Sequence, residues 1–225
     1  SHFLQVSTQP LLPLDDDDTV AYRALLGRWL IDLALLLGWV RAGRRRPPFH
    51  HHRCWDNDEF MALTGLAEGD DESDNADEDE IECGRSRSPE RFLHLLQQRR
   101  AELARITLDP DLPLVRNLNL LAGLLGLSEA ELAVLCFAVF LHGDRTFHHA
   151  IAQQSQSTST SFLHKLLARL TGLPQDDIRA ALSPTGTLIA TGLVEIATRN
   201  TDLEDKLEVW KDLPNILFAP HADAE

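Results

Sequence analysis

Three observations predict a mainly α fold with a helix-turn-helix and a small β-hairpin near the C-terminus. Ala168, Gly172 and Ile178 stand four and ten residues apart. Those are the offsets a helix-turn-helix needs: a small residue where the helices approach, a glycine for the left-handed turn and an apolar plug in the angle. Apolar residues recur at helical spacing over much of the chain, as in 114–125 and 129–142. Finally, residues 193–197 are β-like, and Leu207-Glu208-Val209 is placed to pair with them antiparallel across the loop 198–206.

Residues 1–14 are a Pro-punctuated leader, after which Asp15 to Asp18 load negative charge at a helix start, with Thr19 available as its cap. From 20 to about 40 the chain is apolar on nearly every face, which predicts a helix buried on more than one side. Its long apolar run, Trp29 to Val40, is short for a bilayer, contains Asp32 and has Arg28 and Arg41 at its flanks. It has no basic region before it and no small-residue cleavage site after it, so no membrane partner is expected. Arg41 and Arg44 to Arg46 suit the negative end of the helix dipole, and Pro47-Pro48 forbids continuation.

A loop through His50 to Trp55 precedes a short helix at 56–64 closed by Gly65 and Leu66. A third helix is expected from 88 or 89 to about 106, with Pro89 in its first turn. Gly126 ends the helix 114–125, and Ser128 with Glu131 forms a capping box that starts 129–142. Gly143-Asp144 breaks that helix, and 146–153 is a further short one. A Ser/Thr/Gln loop at 154–161 leads to helices at 162–171 and 175–182, stopped by Ser183-Pro184-Thr185-Gly186. The Leu-rich endings at Gly126 and Gly172 echo one another. Helices commonly stop this way, with an apolar residue packing back on the last turn, so a solenoid repeat is not inferred.

At 225 residues the chain has room for one large or two small domains. Its net charge of −14 is concentrated, because ten acidic residues and no basic one lie between Glu68 and Glu82. With those set aside, 25 acidic residues face 21 basic ones. The division expected is an N-terminal helical segment at 1–66, a disordered acidic linker at 67–90 and a helical domain at 91–225. Three cysteines without CxxC spacing argue against a disulfide framework and for a reducing cytoplasm, with Cys136 a buried thiol. The opening Ser1-His2, with no initiator Met, reads as a cloning remnant on a piece of a longer protein.

Candidate sites are few. The second helix of the helix-turn-helix begins with Asp176 and Asp177 and continues to Arg179, and these three are the candidate interaction residues. Carboxylates at that helix start stabilise their own dipole but repel a phosphate backbone, which counts against DNA reading. His50, His52 and Cys54 are the candidate metal ligands, since imidazole and thiolate suit zinc or copper. Adjacent histidines diverge, however, and no second pair stands at zinc-finger spacing, so no metal is assigned. His142, His148, His149 and Asp144 lack a nucleophile motif beside them. There is no GxxxxGK[ST], GxGxxG or HExxH, so this chain is expected to be no enzyme and to hold no cofactor.

Longer patterns carry a resemblance. Leu114-Val115-Arg116-Asn117-Leu118-x-Leu120-Leu121-x-x-Leu124-Leu125-Gly126-Leu127-Ser128-Glu129-x-Glu131 is one. Leu173-Pro174-x-x-Asp177-Ile178-x-x-Ala181-Leu182-Ser183-Pro184, then Thr191-Gly192-Leu193-Val194, is a second. Leu203 to Val209 and Leu213 to Leu217 complete it. Together they resemble the region preceding the ATPase core in a group of bacterial AAA+ ATPases, over most of the chain and best from 114 to 220. The resemblance implies an amino-terminal domain whose helix-turn-helix is winged-helix-like, recognising a substrate or adaptor protein or regulating the motor. ATP and magnesium would then belong to the remainder of a parent protein, a cytoplasmic homo-hexamer, and no catalytic residue carries over. The competing expectation is a helix-turn-helix DNA-binding regulator.

Overall fold

Residues 130–141 are apolar on every side of a helix, apart from Glu131, and such a helix can only run through the middle of a fold. A computed structural model describes residues 18–38, 58–66, 89–153 and 157–220. In chain order its elements are α1 (Asp18–Leu37), α2 (Asp58–Thr64), α3 (Pro89–Leu103), α4 (Pro113–Leu125), α5 (Glu129–Gly143) and α6 (Arg145–Ala152). There follow α7 (Thr160–Thr171), α8 (Gln175–Ala181), α9 (Thr187–Ala190), β1 (Val194–Ile196), α10 (Leu203–Lys206), β2 (Leu207–Val209) and α11 (Leu213–Phe218). The chain is thus mainly helical with one small antiparallel sheet.

Every residue from Ala130 to Leu141 of α5 is buried. Around α5 pack α4, α6, α7, α8, α9, α11 and β2. The Cys136 thiol lies inside, where burial pushes its pKa up to about 12. The capping box forms as the residue spacing requires, with Ser128 and Glu131 each accepting the other's backbone N–H.

Helix α1 is buried from Trp29 to Ala34, as its apolar pattern predicts. Trp29 meets Phe137 and Phe140 of α5 edge-on, with ring centroids 5.3 and 5.9 Å apart, and Phe147 of α6 at 6.1 Å. Gly27 faces the carbonyl oxygen of Leu63, so α1 and α2 approach closely at a residue without a side chain. Asp32 is almost wholly buried and accepts a 2.5 Å bond from Nε of Arg100 on α3. Burial, against the pull of Asp32 and with the push of Arg100, lowers the pKa of Arg28 from its ordinary value.

One apolar cluster includes residues from Tyr22 to Leu217 and draws on α1, α2 and α3 as well as the later helices. Residues 67–88, most of the expected acidic linker, lie outside the described residues, as do the leader and the arginine-rich turn after α1.

Several boundaries shift. Helix α1 stops at Leu37 because Gly38 takes φ 65, three residues before the expected end. Helix α7 starts at Thr160, since Ser159 caps it by accepting the Phe162 N–H at 3.2 Å. Helices α9, α10 and α11 were not anticipated; at four to six residues they are too short for apolar periodicity to register.

The hairpin forms as expected, pairing Val194 with Val209, Glu195 with Glu208 and Ile196 with Leu207. Val194 and Leu207 turn inward, and His142 of α5 donates from Nε2 to the Leu207 carbonyl at 2.7 Å. The fully buried Lys206 donates from Nζ to the carbonyls of Ala197 and Arg199, at 2.5 and 2.8 Å, and so closes the loop between the strands.

Candidate functional site

Ala168, Gly172 and Ile178 lie at the junction of α7 and α8. Gly172 adopts φ 75 and its N–H meets the Ala168 carbonyl at 2.9 Å, ending α7. Ala168 is half-buried against the core and Ile178 of α8 is fully buried. The three residues Gly172, Leu173 and Pro174 connect the two helices, which pack directly on each other.

The outer face of α8 carries the predicted interaction residues. Asp176 is 87% exposed and accepts a 2.9 Å bond from Arg179, while Asp177 is exposed beside it. The cation of this helix is therefore matched internally, and a carboxylate is left over at its start. On the neighbouring turn of α7, Nε2 of His164 is buried without a hydrogen-bond partner. Burial, and then the nearby Arg179 charge, lower its pKa from the usual imidazole value.

The other sequence candidates separate into structural roles. His50, His52 and Cys54 lie outside the described residues. Among the described residues no group of three or more His, Cys, Asp and Glu is arranged to hold a metal ion. His142 is committed to Leu207, and Nδ1 of His148 donates to the Leu141 carbonyl at 3.1 Å. Asp144 caps α6 by accepting the Phe147 N–H at 2.8 Å, and His149 stands 3.9 Å from Glu59 of α2. These groups are dispersed among different partners and do not converge on one point.

The feature that sequence reasoning missed is on α4. Leu114, Val115, Asn117 and Leu118 are buried, and Asn117 donates its amide to the carbonyls of Leu217 and Ala219 at 2.9 and 3.0 Å, fastening α4 to the end of α11. The opposite side of the helix is open, with Arg116 and Asn119 toward its start and an apolar stretch toward its end. Leu120 is 63% exposed and Leu124 83%. Leu125 and, on the adjoining α11, Ile216 are exposed as well, and Trp210 projects just before α11. The signal was present in the pattern: the run of leucines at 120, 121, 124 and 125 is wider than one buried face requires.

No family model matches the sequence, and no curated protein or solved structure matches it either. Among the described residues no helix is long and apolar enough to cross a membrane.

Proposed function

We propose that this chain is a non-catalytic domain that works by protein–protein contact, serving as the N-terminal substrate- or adaptor-recognition or regulatory part of a AAA+ ATPase. The observation that supports contact with a protein is the open apolar face of α4, since a helix that buried all its leucines internally would leave none for a partner. The attachment to a AAA+ motor is supported by the leucine-rich patterns at 114–131 and 173–194. We read α7, α8 and the hairpin as a winged-helix-like unit, supported by the left-handed Gly172, the buried Ile178 and the antiparallel strands that follow. ATP, magnesium and hexamer formation belong in this reading to the motor, in the cytoplasm.

In a parent ATPase, deletion of residues 1–225 is expected to leave basal ATP hydrolysis in place and to uncouple it from the client. Client processing that survives the deletion refutes the reading. The rival reading as a DNA-binding regulator draws on the same pair of helices, but α8 presents Asp176, Asp177 and an Arg179 already paired. It requires a complex with duplex DNA at low salt that weakens steeply as salt rises.

A further inference from the structure

We propose that the outward face of α4 receives an amphipathic helix whose apolar residues are flanked by lysine or arginine, a partner class that rests on the protein-contact reading above. Leu120, Gly123 and Leu124 fall at i, i+3 and i+4, which places them together on one side of the last turns of α4. A Cβ added at Gly123 would meet no atom within 4 Å, so the space between the two leucines is open to a side chain from outside. Leucine ridges separated by such a gap are the shape into which a second helix packs.

Charge decides between the occupants. Leu120, Gly123 and Leu124 carry none, and the exposed Arg116, one turn before Leu120 on the same side of α4, already takes part in an interaction within the chain. Exposed carboxylates stand just beyond both ends of the helix: Asp109 and Asp111 before Pro113, and Glu129 after Leu125. The negative end of the α4 dipole lies on the Glu129 side. A second copy of this chain, in either orientation, would bring carboxylates against carboxylates at both ends. A segment with cations on each side of its apolar anchors meets the opposite charge at both.

The probe is a labelled helical peptide about four turns long, with leucines at i, i+3, i+4 and i+7 and lysines at both ends, titrated against the 225-residue chain by fluorescence anisotropy. Binding is expected to weaken roughly tenfold or more in Leu120→Ser/Leu124→Ser and several-fold in Asp111→Lys/Glu129→Lys. A glutamate-ended version of the peptide is expected to bind worse than the lysine-ended one. All four positions are exposed, and unchanged melting curves would show that the fold is kept. Equal affinity for wild type and the leucine variant overturns the proposal, as does equal binding of the two peptides. Sedimentation showing a wild-type dimer that the leucine variant abolishes overturns it in favour of a second copy. If a parent protein carrying Leu120→Ser/Leu124→Ser processes its client normally while deletion of 1–225 does not, the assignment to α4 fails and the recognition reading stands.

Discussion

Glu131 holds the starts of two helices with one carboxylate. Its Oε2 accepts the Ser128 N–H at 2.8 Å and its Oε1 accepts the Thr187 N–H at 2.6 Å. Burial raises its pKa, but the hydrogen bonds from Ser128 and Thr187 outweigh that and leave it below the usual carboxylate range. Glu131→Gln presents an amide N–H to one of the two donors, so it is expected to cost about 1–2 kcal/mol at neutral pH. Because the folded pKa is the lower one, the carboxylate stabilises the fold above the unfolded value of about 4.3. That contribution is lost as pH falls through the folded pKa. Urea melts of wild type and variant should therefore converge as pH falls below the unfolded carboxylate value, and a constant gap would contradict the assignment. Half of this role was legible in the chain: Ser128 and Glu131 stand at capping-box spacing. The bond to Thr187 was not, because it spans 56 residues and caps a four-residue helix that leaves no periodic trace.

At the level of elements, two glycines do different work. Gly172 is left-handed with open space around it, so Gly172→Ala costs backbone strain alone, about 1 kcal/mol. Gly27→Ala sets a methyl group against the Leu63 carbonyl oxygen and, at 3.1 Å, against Cδ1 of Leu103. Helix propensity favours alanine there by about 1 kcal/mol. The overlap is with backbone and outweighs this, for a net loss of roughly 2–3 kcal/mol. Thermal denaturation should rank the two variants in that order. Long helices and the turn at Gly172 could be read from residue spacing, because each has a local cause. The short helices α9, α10 and α11 could not, since tertiary contacts hold them. On α4 the excess of leucines over one buried face could be read, but not whether the second face meets the core or the solvent.

Over the whole molecule, a single apolar cluster ties the first described helix to the last. Trp29 lies at its centre, against rings from α5 and α6. Trp29→Ala is expected to destabilise the chain by roughly 3–5 kcal/mol. Far-UV and near-UV circular dichroism should trace one coincident unfolding transition, because α1 shares its packing with helices from the other half. Two separated transitions would mean that the stretches before and after the acidic segment unfold independently. The acidity between Glu68 and Glu82 can be read from composition, whereas the packing of Trp29 on Phe137 cannot, because composition marks where a chain is hydrophilic and not which rings meet.

The amide of Asn117 gives α4 a mechanical connection that its leucine pattern conceals. By grasping the carbonyls of Leu217 and Ala219 it anchors the backbone where α11 ends, so tension applied to the chain beyond Pro220 loads α4 directly. Conversely, a displacement of α4 by anything seated on its outer leucines would be transmitted to that same stretch of backbone. Asn117 thus couples the outer surface of α4 to the backbone at the end of α11.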